Sequence, residues 1–111
     1  MQFPLQFVEW FYSLPFIRRP DFLATTVSEG PSSADLEPGL VLIEERDGYL
    51  KWVHFSCPKC RDHIQLPLAG GERWSIKLDA LRRPTFAPSV WEQATCGAHF
   101  FIRKGRLLWC Q

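Results

Sequence analysis

The sequence predicts a mainly β fold: a small β domain stapled by zinc through ribbon-like knuckles and hairpins, preceded by an N-terminal helix. Three observations carry this prediction. Two ligand-type pairs, Cys57-x-x-Cys60 and Cys96-x-x-His99, are separated by 35 residues. From residue 40 onward the apolar residues fall in short runs bounded by turn signals. A chain of 111 residues fits one domain, and a domain of that size buries only part of its surface, so a staple is expected.

The elements follow in order. Residues 1–17 place Phe3, Phe7, Trp10, Leu14 and Ile17 at 4-3-4-3 spacing, one face of an amphipathic helix. Pro4 suits its first turn and Pro15 its end. Val8, Phe11, Tyr12 and Phe16 lie off that stripe, so the segment either packs on the domain or docks a partner protein. Residues 18–39 are rich in Pro, Ser, Gly and acid and read as a linker or long loop. Residues 40–111 form the predicted zinc-binding β domain. Leu40 to Glu44 and Tyr49 to Phe55 flank Asp47-Gly48, a strong hairpin signal. Ile64 to Leu68, Trp74 to Leu78 and Phe86 to Trp91 read as further short strands. His99 to Cys110 reads as two β runs around Lys104-Gly105.

Composition narrows the function. Hydrophobic residues make up 46% and aromatic residues 14% of the chain, ample material for a core. Thirteen basic against twelve acidic residues give a net charge of +1, which is no footprint for nucleic acid or an anionic membrane. The apolar N-terminus has Glu9 in its middle, Arg18-Arg19 behind it and no small-residue cleavage site, so it reads neither as an export signal nor as a membrane span. The expected location is the cytoplasm, where thiols stay reduced and paired cysteines favour metal over a disulfide.

The metal constellation is Cys57, Cys60, Cys96 and His99. A structural zinc takes four tetrahedral N or S ligands, and two intervening residues let a tight turn aim both side chains at one ion. Gly97 gives the second turn backbone freedom; the first turn has Arg61 in the corresponding region. A redox role for Cys57 and Cys60 lacks the surrounding βαβ pattern. If Lys104-Gly105 is a two-residue turn, Cys110 faces His99 across the hairpin, about 5 Å away. Cys110 is then either a small hydrophobe filling space or a substitute ligand. The same register puts Phe100, Ile102, Leu107 and Trp109 on the core side. His54, three residues before Cys57, is a hydrogen-bonded packing residue, a ligand or an acid–base group. His63 is a polar residue at a strand entrance. Asp62 is a solvated turn carboxylate or a general base beside the metal.

These residues resemble a known family. The likeness runs through Leu36-Glu37-Pro38-Gly39-Leu40, His54 and the cysteine loop, then Leu66-Pro67-Leu68, Trp74 and Pro88-Ser89-Val90. It ends in Cys96-Gly97-Ala98-His99-Phe100-Phe101-Ile102-Arg103-Lys104-Gly105 and Trp109-Cys110. This is similar to a bacterial family of unknown function with a CGCGE-type loop, a PSI element and a CxSHxWIRxG segment, over about residues 36 to 110. The resemblance implies operons with ubiquitin-like proteins and E1/E2-like enzymes, and a metal-binding, hydrolase-like site. It carries the metal role to Cys57, Cys60, Cys96 and His99 and matches its loop-preceding histidine to His54. Its glutamate aligns with Asp62, one methylene shorter, and CPKC stands for the CGCG-like loop.

Two functions from different classes follow. The first is a zinc-binding accessory or protein-interaction module in a bacterial ubiquitin-like pathway, since a closed Cys3His site cannot activate water. Its partner would be a ubiquitin-like protein or an E1/E2-like enzyme. The second is a zinc-dependent hydrolase or peptidase acting on a ubiquitin-like protein. It needs an open coordination position and a base drawn from Asp62, Glu72, Glu92 or His54. A nucleic-acid-binding zinc ribbon ranks third, on aromatics alone.

Overall fold

The computed structural model describes residues 2–110. It is mainly β, with one α-helix at the N-terminus among the described residues. Helix α1 (Leu5–Tyr12) starts after Pro4 and ends at Ser13, whose amide and hydroxyl both donate to the Trp10 carbonyl. It is shorter than the segment 1–17 that the spacing predicts, and the buried face is the other one. Val8 and Tyr12, one turn apart, pack with Leu23, joined by Phe11, Ile17 and Leu81. Phe3, Phe7, Trp10 and Phe16 are exposed at 46%, 40%, 58% and 79%. The helix carries two apolar faces, and the domain offers a matching hollow to only one of them. The outward face closes on itself instead: Phe7 lies 4.9 Å from Phe3 and 5.8 Å from Trp10, centroid to centroid.

Residues 18–39, expected as a linker or long loop, contain a strand, β1 (Leu23–Val27), and a short 3-10 turn at Ser33–Asp35. Phe22, Leu23 and Ala24 are buried, which is what fixes the strand inside a stretch of turn-forming residues. β1 pairs in parallel with β2 (Leu40–Arg46), which pairs antiparallel with β3 (Tyr49–Ser56), and that with β4 (His63–Pro67). The four-stranded order is β1-β2-β3-β4. β5 (Ser75–Leu78) and β6 (Pro84–Ala87) form a second ladder; β7 (Val90–Trp91), β8 (His99–Arg103) and β9 (Arg106–Trp109) form a third. The run 86–91, predicted as one strand, divides in two at the cis Ala87-Pro88 bond. Pro88 has no N–H for a ladder, so the strand stops and Ser89 stands between its halves.

Both predicted hairpin turns form. Asp47-Gly48 and Lys104-Gly105 each place two successive residues at positive φ, the pattern of type I′ turns. At the second, Arg103 faces Arg106 and Phe100 faces Trp109, and the Cys110 amide donates to the His99 carbonyl at 2.8 Å. The counted register holds. Phe100 and Ile102 are buried as expected, whereas Trp109 is 51% exposed. The core centres on Phe55, which meets Phe22, Phe86 and Phe100 edge-on at 5.8, 5.5 and 6.3 Å. Truncating Phe55 to alanine is expected to cost about 3–5 kcal/mol, read by denaturant unfolding. A loss under about 1 kcal/mol would place the centre of the core elsewhere.

Candidate functional site

Two turns bring the cysteines together. In the first, the Asp62 carbonyl accepts from the Cys57 amide at 2.8 Å and the Cys57 carbonyl accepts from Arg61 at 3.0 Å. Arg61 stands at φ 68, the left-handed conformation the turn demands although no glycine is there. In the second, Gly97 takes φ 76. The Sγ atoms of Cys57, Cys60 and Cys96 lie within 4.8 Å of one another, a group that could hold a metal ion. Cys57 and Cys96 are 3.7 Å apart, sulfur to sulfur, and all four cysteines of the chain are free.

The donor chemistry fits a soft cation. The Ala98 amide donates to the Cys96 sulfur and, with help from Cys60, Cys57 and Thr95 and against burial, holds its thiol below the usual value. The Asp62 amide favours the Cys60 thiolate, but the Cys96 sulfur, burial and Cys57 outweigh it and push that thiol up to about 12. Such a cluster resists shedding all its protons until a positive ion is placed among the sulfurs.

His99, expected as the fourth ligand, is not grouped with the three sulfurs. Its Nε2 lies 2.8 Å from the Ser89 hydroxyl. β8 begins at His99, and its neighbour across the ladder is Trp91, two residues after Ser89. The Trp91 indole stacks on the imidazole, centroids 5.0 Å apart and planes 17° apart. The Trp74 indole N–H donates to the Ser89 carbonyl at 3.3 Å, fixing the serine from behind. A cavity of about 360 Å³ opens beside His99, lined by Lys59, Trp91, Gly97, Ala98, His99, Trp109 and Cys110. Cys110 is thus close to His99, as the register requires, and not among the grouped thiols.

The other candidates scatter. The exposed Asp62 serves the first turn through its backbone. Glu72 is exposed, and Glu92 accepts from the Thr95 hydroxyl at 3.1 Å. His54 belongs to a separate polar chain on the sheet face opposite Val53 and Phe55. Its Nε2 meets Glu44 Oε1 at 3.1 Å and its Nδ1 meets His63 Nε2 at 2.9 Å, while Arg46 Nε donates to Glu44 Oε2 at 2.6 Å. Glu44 and His54 are buried. Burial works against the Glu44 charge, but hydrogen bonds from His54 and Arg46 win and hold its carboxyl below the ordinary 4.5. Burial, with the neighbouring His54, lowers His63 below the ordinary 6.5.

Both shifts make acid destabilising. A histidine harder to protonate when folded loses stability as pH falls below 6.5, the unfolded value, and a depressed carboxylate adds a second loss once pH falls below 4.5. Thermal melts are expected to decline in two stages on acidification. Glu44→Gln should remove the later stage; a flat stability between neutral pH and 5 would overturn the His63 part.

Ser89 is the residue that sequence reasoning passed over. It stood in the Pro88-Ser89-Val90 element without a role, because Cys96-x-x-His99 spacing assigned the histidine to metal. A serine directly after a strand-breaking proline, ten residues before His99, was the available signal.

Fold and site together define a class: a small, mainly β domain with clustered thiols and a hydrogen-bonded serine–histidine pair. The chain belongs to the BubE family, described as the bacterial ubiquitination-like system serine protease, whose model matches residues 26–110. No curated protein and no solved structure matches the chain. The family places the chain in a bacterial ubiquitination-like system, where protein partners are expected. Among the described residues, no helix is long and apolar enough to cross a membrane.

Proposed function

We propose that this protein is a serine peptidase of that system, cleaving the acyl bond at the carboxyl end of a ubiquitin-like protein. The observation that carries it is the 2.8 Å contact between Ser89 Oγ and His99 Nε2. A serine hydroxyl is a weak nucleophile until an adjacent base takes its proton. His99 accepts that proton as Oγ attacks the carbonyl carbon, then returns it to the departing amine, leaving an ester on Ser89. Water, deprotonated by the same nitrogen, hydrolyses the ester and frees the carboxylate. The family description supports this reading.

Cys57, Cys60 and Cys96 would hold zinc, the ion that thiolates at this spacing suit. Zinc supplies charge balance to the thiolates and ties the two turns together. The chain itself positions His99, three residues along from Cys96, and the serine sits on a different segment. Reaction with a fluorophosphonate tests the proposal: Ser89 should carry the adduct by mass spectrometry, and Ser89→Ala and His99→Ala should not react. Labelling elsewhere, or none, would sink it. Changing the base alone should lower turnover by about 10²–10⁴-fold.

A second reading is favoured by the exposed aromatic face of α1 and by the thiol group: a zinc-stapled interaction module without chemistry. It requires that Ser89→Ala bind and act in the pathway as the unaltered chain does.

A further inference from the structure

Far from the serine, the chain builds a cationic cavity that the peptidase reading does not use. It encloses about 40 Å³ and is lined by Tyr12, Arg18, Arg19, Pro20, Asp21, Arg83, Lys104 and Arg106. Five of those eight side chains are cations and one is an anion, in a chain whose net charge is only +1. Two of the cations are already matched: Arg19 to Glu9 through a forked pair at 2.7 and 3.1 Å, and Arg83 to Asp79. Asp21 is also engaged, its carboxylate accepting from the Leu107 amide at 2.8 Å. Arg18, Lys104 and Arg106 form no side-chain hydrogen bond or ion pair among the described residues.

The floor of the cavity points the same way. Tyr12 lines the cavity with its side chain packed against Val8 and Leu23. Burial raises its pKa, with Arg83 and Arg19 pulling the other way, so at neutral pH it is a neutral donor held among positive charges. A phenolic hydroxyl donor set among cations suits a compact anionic acceptor.

The frame is firm. The Gly105 carbonyl accepts from Phe22 at 2.9 Å, and the Gly105 amide donates to the Pro84 carbonyl at 2.8 Å. A Cβ on Gly105 would fall 2.6 Å from the Phe22 carbonyl oxygen and 2.8 Å from Pro20. The hairpin tip is therefore seated against the chain that follows α1, and the cavity is built rather than left between loose ends.

We propose that this cavity is an oxyanion-binding exosite that receives a carboxylate from an acidic segment of a protein partner. The enclosed volume admits one such group, and guanidinium forks match a carboxylate in plane and spacing. Arg18, Lys104 and Arg106 on its rim would take neighbouring acidic side chains. Placement gives the site a use. Lys104 follows Arg103, the last residue of the strand that His99 begins, so the cavity and His99 lie at opposite ends of β8, about 16 Å apart at strand rise. A partner held at the tip would lay its chain along the hairpin toward Ser89.

The test uses the full chain and fluorescein-labelled hexaglutamate, followed by anisotropy. Binding should appear at low ionic strength and fade as salt screens it. Arg18→Glu with Arg106→Glu, both at exposed positions, should weaken it at least about tenfold. Tyr12→Phe should weaken it about fivefold, the loss of one hydrogen bond. Ser89→Ala should bind as the parent does, which separates this result from the fate of the peptidase reading. No binding, or binding indifferent to the charge reversal and to Tyr12→Phe, would overturn the proposal. Calorimetric binding of inorganic phosphate without hexaglutamate binding would overturn the carboxylate assignment and make the site one for phosphate.

Discussion

Replacing Ser89 with alanine should cut cleavage of a ubiquitin-like protein fused at its carboxyl end by about 10⁴-fold or more. The size follows from what the change removes. Without Oγ there is no atom to form the acyl ester, and His99 has no proton to take. The substitution also tests placement. Ser89 is half-buried between β6 and β7, anchored through its carbonyl to Trp74, and its side chain meets His99. Alanine keeps the carbonyl and the backbone, so melting and metal content should stay at parent levels. A variant that retains activity within tenfold would show that the serine–histidine contact is a structural hydrogen bond.

Cys60→Ser should release the metal and lower stability by on the order of 3 kcal/mol or more, because binding free energy at such a site is folding free energy. Metal analysis and thermal melting read both effects together. The thiol group joins β3's end to the turn before β8, two parts of the chain otherwise far apart in sequence. Its loss should also reduce the peptidase rate, since His99 hangs three residues beyond Cys96. X-ray absorption of the unaltered chain should count three sulfurs. A Cys60→Ser chain that keeps its metal and a cooperative melt would refute the thiol assignment.

Much of the fold was legible because its cues are local. Asp47-Gly48 and Lys104-Gly105 announce type I′ hairpins, and the second fixed a register that set Cys110 beside His99. The grouping of Cys57, Cys60 and Cys96 followed from spacing alone. What escaped was decided by distant contacts. β1 exists because Phe22, Leu23 and Ala24 find a core and a parallel neighbour in β2. Nothing in its flanking Ser, Pro and Gly foretells this. On α1 both faces are apolar, and only the hollow near Leu23 decides that Val8 and Tyr12 turn inward. The histidine was the instructive case. Cys-x-x-His spacing shows where a side chain can start, and the strand beginning at His99 sets its Nε2 against Ser89.

The short tether between Cys96 and His99 has one more consequence, for how this chain would respond to inhibitors. Its proposed nucleophile is a hydroxyl, yet the residue proposed to activate it lies three residues from a thiol group whose Cys57 and Cys96 sulfurs sit 3.7 Å apart. Mercurials, maleimides or mild oxidants acting on those sulfurs would slacken the tether and silence the hydroxyl without touching it. Judged by such reagents, a serine peptidase of this design would be sorted with the thiol enzymes, and only an adduct mapped to Ser89 would tell them apart.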